Sequence, residues 1–157
     1  MTRLFVVIVL TFAFISGTAL AQGTLAERGP FGLGAIFGVP TGISAKYFLN
    51  ELNAIDGAIA WNLSGDNDFH IHADYLYHKY SLITVEKGEL PVYFGIGGRL
   101  KIREDKDDEF GIRFPVGLAY AFADVPIDVF AEVAPILDVI PDTEFDLEGG
   151  VGVRFYF

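Results

Sequence analysis

Three side chains on one predicted strand could bind a metal ion. His70, His72 and Asp74 occur at every second position of F-H-I-H-A-D-Y, and alternate residues of a β-strand share one face of the sheet. Imidazole nitrogens and a carboxylate oxygen at that spacing can ligate a transition metal. Polar packing among other charged residues is the alternative, and we favour it because charges continue the same pattern on the neighbouring strands. The sequence therefore predicts no metal and no cofactor.

No motif in the chain indicates catalysis. A nucleophilic serine needs an adjacent base, and Ser44, Ser64 and Ser81 lie in no recognisable nucleophile motif. The acidic run Glu104–Glu109 lacks the ligand spacing and the glycine of an EF-hand, so we interpret it as a solvated loop. We predict that the protein is not an enzyme. A lipid-modifying enzyme remains an alternative, although no site for it is visible.

The first 21 residues have the three parts of a secretory signal peptide. Arg3 supplies the positive charge, Leu4–Ile15 is the apolar run, and Ala19-Leu20-Ala21 has the A-x-A form of a cleavage site. We expect residues 1–21 to be removed after Sec-type export and residues 22–157 to form one domain. A retained membrane anchor is the alternative. The sequence has no cysteine, which excludes disulfides and lipid attachment through a cysteine.

The composition combines high apolar content with the absence of a long apolar run. The chain is 52% hydrophobic and 15% aromatic, yet after the signal peptide no stretch approaches the ~18 apolar residues of a transmembrane helix. Apolar residues are instead dispersed by alternation, and in lipid only a closed β-barrel is compatible with that pattern. The formal net charge of −10 argues against nucleic acid as a partner, because phosphate backbones require Lys and Arg.

About eight segments alternate apolar and polar residues between turn sequences. Most are near the ~9–11 residues that a tilted strand needs to cross hydrocarbon. We therefore predict an all-β fold, an eight-stranded antiparallel transmembrane β-barrel. The predicted strands are Phe31–Gly38, Ile43–Leu49, Ala54–Leu63, Asp68–Tyr80, Leu90–Arg103, Phe110–Phe122, Ile127–Leu137 and Thr143–Phe157.

If the apolar faces contact lipid, the alternate positions converge in the lumen. Charges of both signs should pair there, because unpaired charges are costly in a confined space. The interior of an eight-stranded barrel is about filled by its own side chains, so we predict a structural polar plug. A narrow pore, gated by exchange of ion-pair partners, is the alternative. The predicted lumen charge network is Lys46, Asp56, His70, His72, Asp74, Arg99, Arg113, Asp128, Glu132, Glu148 and Arg154.

The segment Thr143–Phe157 has apolar residues at alternate positions and closes on an aromatic residue. It looks like the final strand of a bacterial outer-membrane β-barrel. In that class of protein this strand is also the signal read by the barrel-assembly machinery. The resemblance implies an assembly signal at Val151, Val153, Phe155 and Phe157.

Further stretches resemble a particular family. These are F-G-L-G-A-I-F-G-V-P-T-G-I-S-A-K-Y-F-L from Phe31, F-H-I-H-A-D-Y-L-Y-H from Phe69 and L-P-V-Y-F-G-I-G-G-R from Leu90. They resemble small, largely uncharacterised outer-membrane β-barrel proteins of spirochaetes and other diderm bacteria, similar in architecture to the OmpA-type transmembrane domain. The resemblance implies an outer-membrane location and contact with outer-membrane lipid, and it carries no catalytic residues.

These observations together predict a small integral outer-membrane barrel with a structural or surface-interaction role. By strand parity, the loops near Pro40, Asp66, Lys106 and Pro141 face outside, where a host or environmental ligand could bind. A secreted, lipocalin-like barrel that holds a small apolar ligand is the alternative from another class. That alternative requires apolar residues inside and polar residues outside, the inverse of the faces assigned above.

Overall fold

The computed structural model describes residues 29–61 and 68–157. The predicted signal peptide and the loop around Asp66 lie outside these ranges. Within them no helix is long and apolar enough to cross a membrane. The described residues form nine strands: β1 Phe31–Val39, β2 Gly42–Phe48, β3 Asn53–Trp61, β4 Phe69–Lys79, β5 Val92–Ile102, β6 Glu109–Arg113, β7 Val116–Ala121, β8 Ile127–Ile140 and β9 Glu144–Tyr156.

The strands pair antiparallel in a closed ring. The order β4-β3-β2-β1-β9-β8-β6-β5 returns to its start because β4 also pairs with β5. The first and last strands are neighbours, with Gly32 opposite Tyr156 and Gly38 opposite Gly150. Closure pairs the edges that an open sheet would leave free. The fold is therefore a closed antiparallel β-barrel, and the predicted all-β class is confirmed.

The predicted strand Phe110–Phe122 is two strands. β6 and β7 lie end to end, and each pairs with both β5 and β8, so together they occupy one place in the ring. The break falls at Phe114-Pro115, and the reason is that proline has no N–H to donate to a ladder. The Pro115 carbonyl still accepts from Gly95 N at 3.0 Å. The prediction of eight separate strands is wrong in this respect.

Other strand limits differ from the predictions by a few residues. The largest difference is at β8, which runs to Ile140 where the prediction ends at Leu137. The turn that follows, at Pro141–Thr143, is shorter than expected. The stretch Ser81–Glu89 is a loop that touches the barrel through a bridge between Glu89 and Ala121.

The two faces of the barrel wall have opposite chemistry. Outward-facing side chains are mostly large and apolar, and many are about half exposed, as at Phe37 (58%), Val133 (54%) and Phe145 (73%). Inward-facing positions carry the charged residues, and these are buried. Burying charges while exposing apolar side chains reverses the usual distribution of a water-soluble protein. The alternation read from the sequence therefore has the predicted orientation.

Candidate functional site

All eleven residues of the predicted charge network lie in the barrel interior. They come from β2, β3, β4, β5, β6, β8 and β9, so the ring of strands brings together positions far apart in sequence. Each is at most 6% exposed. For orientation, we call the end formed by residues 40–41, 103–108 and 141–143 the upper end. The lower end holds Gly29, Phe157 and the turns at 49–52, 80–91 and 122–126.

Arg99 is the centre of an ion-pair cluster in the upper half. Its Nη1 donates to Asp146 and Glu148, each at 2.7 Å, and its Nη2 donates to both oxygens of Asp138 at 2.6 Å. A guanidinium can satisfy several carboxylates at once because it presents five donors in a fixed plane. The side chain is fully buried. Carboxylates from β8 and β9 are therefore tied across the lumen to β5.

Arg113 extends this cluster into the middle of the barrel. It donates to Asp74 through Nη1 and to Glu132 through Nη2 at 2.8 Å, and its Nε lies 3.6 Å from Glu148. Tyr93 also donates to Glu132, at 2.9 Å. The guanidinium thus links β6 to β4, β8 and β9, and Tyr93 connects β5 to the same group through Glu132.

Arg154 forms a separate cluster in the lower half. Its Nε donates to Ser44 Oγ at 3.1 Å, its Nη2 donates to Asp56 at 3.0 Å, and Asp128 lies 4.0 Å away. The guanidinium also stacks over the Phe130 ring at 3.7 Å. Gly152 makes room for that ring, since a Cβ there would come within 2.4 Å of it.

Lys46 departs from the expectation that the interior charges pair. It is 1% exposed, and among the described residues its Nζ has no hydrogen-bond partner. The ammonium instead lies over two aromatic rings, 4.7 Å from the Tyr93 centroid and 5.2 Å from that of Phe48. A cation over a ring face is stabilised by the ring quadrupole. Sequence alternation assigned Lys46 to the interior, but it could not indicate which aromatic residues the ammonium would contact.

Aromatic side chains contact one another at the lower end of the interior. The His78 ring lies between Phe48, at 5.1 Å, and Tyr93, at 5.5 Å. Tyr156 packs on Phe48 and donates its hydroxyl to Asp128 at 2.7 Å. Below them, burial and the nearby Glu89 carboxylate raise the pKa of Tyr80. Aromatic side chains therefore pack together at the end of the barrel opposite the Arg99 cluster.

The two histidines among the three candidate metal ligands on β4 are neighbours in the structure. The His70 Nε2 and His72 Nδ1 atoms are 3.3 Å apart. Glu148 from β9 completes a group whose donor atoms all lie within 4.8 Å of one another. The sequence grouped these histidines with Asp74, whose carboxylate lies 3.9 Å from His72 Nε2 on the other side. Glu148 was missed as their partner because cross-barrel contacts are not visible in strand alternation.

The upper cluster contains charged residues that the predicted network omitted: Lys101, Arg103, Glu109, Asp138 and Asp146. Asp138 was missed because the prediction ended its strand at Leu137. Its position continues the inward series of Asp128 and Glu132, so alternation extended by one more residue would have found it. Asp146 likewise shares the inward side of β9 with Glu148 and Arg154.

The residues of the predicted assembly signal lie on the outer face. Val151, Val153, Phe155 and Phe157 are between 41% and 57% exposed. Phe157 packs edge-on against Phe31 at 5.3 Å. This position joins them to the apolar outer surface of β1 and β8 and leaves them out of the polar interior.

Comparison with known proteins supports the fold. The chain is similar to the crystal structure of the N-terminal β-barrel domain of Pseudomonas aeruginosa OprF, with a TM-score of 0.56 and 17% sequence identity over 81% of this chain and 95% of that one. No family model matches the chain, and no curated protein matches it. The OmpA-like β-barrel fold is therefore shown, whereas the resemblance to a spirochaete-type family is not supported.

Proposed function

We propose that this chain is a small integral outer-membrane β-barrel with a structural or surface-interaction role and a lumen closed by its own side chains. The observation that carries the proposal is the reversal of the two faces, with apolar side chains exposed around the wall and charges buried inside. Water-soluble proteins rarely expose large contiguous apolar surfaces, and hydrocarbon is the solvent that such a surface fits. The likeness to the OprF barrel domain supports the same environment.

Because β6 and β7 lie end to end, they occupy one place in the ring, which then has eight places. The interior of a barrel of this size is small enough for its own side chains to fill. Three arginines and their carboxylates occupy the interior from Asp138 at the upper end to Asp128 at the lower end. The aromatic packing around His78 completes the lower end. We infer that these contacts stabilise the barrel and close it to solutes, in preference to a narrow pore.

The lipocalin-like alternative does not fit the structure. A barrel that holds a small apolar ligand needs an apolar cavity, and here the centre of the interior is occupied by Arg113, Asp74 and Glu132. For a lipid-modifying enzyme, the described residues show no serine beside a histidine. Ser44 instead accepts a hydrogen bond from Arg154. We therefore retain the non-enzymatic role as the proposal.

The proposal makes outer-membrane lipid and the barrel-assembly machinery partners of the chain, the latter through β9 and its apolar positions Val151, Val153 and Phe155. The loops at the upper end are the surface available to a host or environmental ligand. The described ones include the charged residues 103–108.

Replacing Phe155 and Phe157 with alanine should reduce recovery in the outer membrane, and unchanged recovery would argue against the assembly role.

Fractionation of cells that express the full chain tests the proposal. We expect recovery in the outer membrane, together with a change in gel mobility when the sample is boiled, because a closed barrel resists detergent until heat unfolds it. The chain is detected in each fraction with an antibody, and cells that lack the chain provide the control for the specificity of that antibody. Recovery as a soluble periplasmic protein with the same mobility before and after boiling would contradict the proposal.

A further inference from the structure

The upper charge cluster carries more negative than positive groups. Its ion pairs connect four cations to six carboxylates, a difference of two negative charges; the cations are Arg99, Lys101, Arg103 and Arg113, and the carboxylates are Asp74, Glu109, Glu132, Asp138, Asp146 and Glu148. The ion pairs of the lower cluster connect Arg154 to Asp56 and Asp128, and Lys46, which is opposite Asp56 in the strand register but makes no ion pair, is the second buried cation there. A buried excess of charge is costly unless something compensates it.

The histidines of the upper cluster do not supply two positive charges. His70 Nε2 and His72 Nδ1 share a hydrogen bond at 3.3 Å, so one of the two nitrogens must accept. A protonated imidazole has only donors, and at least one ring is therefore neutral. A neutral imidazole is the form in which histidine binds metals.

Glu148 is the carboxylate nearest to the imidazole pair. Its Oε1 accepts from Arg99, and its Oε2 makes no hydrogen bond with the described residues but lies 3.6 Å from Arg113 Nε. The side chain is 2% exposed. The His70 Nδ1 atom is 3.6 Å from Glu148 Oε1, the oxygen that also accepts from Arg99, so the carboxylate lies between the imidazole and the guanidinium. A carboxylate has more lone pairs than these contacts occupy, so Glu148 can accept a further ligand.

We propose that His70, His72 and Glu148 bind a divalent transition-metal ion inside the upper half of the barrel. The charge of the ion matches the excess of the cluster, and two imidazoles with one carboxylate are the ligand set that zinc accepts with an open fourth position. Donor atoms of tetrahedral zinc lie roughly 3.3 Å apart, given Zn–N distances of about 2.0–2.1 Å. The donor atoms of the three side chains lie within 4.8 Å of one another, so the side chains move closer together when the ion binds.

A cavity of about 280 Å³ opens at the upper end. Its lining includes Arg103, Glu109, Asp138, Asp142 and Glu144. Asp138 and Glu109 both contact Arg99, which in turn binds Glu148. The cavity and the histidine group are therefore connected through the same ion-pair cluster. This role goes beyond the proposed structural function and does not depend on it.

Zinc titration of the folded, untagged chain in detergent tests the proposal. After treatment with a chelator, calorimetry should show one Zn²⁺ bound per chain. His72→Gln or His70→Gln should weaken binding more than about 100-fold, because even loss of an outer-shell partner costs about 10–100-fold. His78→Gln is the matched control, since His78 lies on the same strand and is also buried but is outside the group. Its affinity should equal that of the wild type.

A spectroscopic readout covers the case in which the histidine variants do not fold. Cu²⁺ bound to the folded wild-type chain should show electron paramagnetic coupling to two imidazole nitrogens. The gel-mobility shift on boiling verifies that each sample is folded. Absence of Zn²⁺ binding by the folded wild type, equal binding by His72→Gln, or Cu²⁺ without nitrogen coupling would each overturn the proposal.

Discussion

Replacing Arg113 with methionine should lower the free energy of unfolding by about 3–5 kcal/mol, the cost of removing one partner from a buried ion pair. Arg113 is 1% exposed and contacts Asp74, Glu132 and Glu148. Methionine preserves much of the side-chain volume but leaves these carboxylates without a counter-charge. Denaturant unfolding in lipid vesicles, followed by gel mobility without boiling, measures the loss.

Arg103→Met is the matched control for this prediction. Arg103 pairs with Glu109 near the upper end, and both side chains are partly exposed, at 21% and 17%. Ion pairs that remain in contact with water contribute only about 0–1 kcal/mol. Adding Asp74→Asn and Glu132→Gln to Arg113→Met should recover part of the stability. Equal losses for Arg113→Met and Arg103→Met would show that the interior ion pairs do not stabilise the barrel.

Replacing Val133 with arginine should lower the free energy of unfolding by about 2–4 kcal/mol, the cost of a lipid-facing cation near the bilayer midplane of a β-barrel. Val133 lies in the middle of β8 and is 54% exposed on the outer face. The apolar Val133 side chain makes no polar contact that the substitution would remove. The expected cost therefore comes only from placing the arginine charge in the surrounding lipid. Unfolding in phospholipid vesicles measures it.

Ile140→Arg is the control for depth. Ile140 is 56% exposed and is the last residue of the same strand, where the cost should fall to about 0–1 kcal/mol near the interface. In a water-soluble barrel, both positions would be ordinary surface sites with effects within about 0.5 kcal/mol. The same small loss at Val133 and Ile140 would therefore contradict the membrane assignment.

Much of the fold could be predicted because alternation is a local property of the chain. In β4, for example, the series from Phe69 to Lys79 alternates exposed and buried at every position, and the sequence shows that pattern directly. The same reasoning assigned the charged residues to the face that is buried in the structure. It required only that successive side chains of a strand point to opposite sides.

The details that failed depend on hydrogen bonding and on contacts across the lumen. Pro115 preserves the alternation of side chains while interrupting the ladder, so the break between β6 and β7 is invisible to a pattern of apolar residues. The partnership of Arg99 with Asp138 joins residues 39 positions apart, and it depends on strand register and tilt. For the same reason, the alternation pattern grouped His72 with Asp74 and did not identify Glu148 as a neighbour of the histidines.

The central claim is that the outer face of the barrel contacts lipid, and Trp61 can report on it directly. It is the only tryptophan in the sequence, it is 49% exposed on the outer face, and it is the last residue of β3. Interfacial aromatic girdles occupy such positions in membrane barrels. For the folded chain in vesicles, we expect phospholipids brominated in the acyl chains to quench its fluorescence and aqueous iodide to have little effect. Iodide quenching equal to that of the unfolded chain, with no effect of the brominated lipid, would contradict the account.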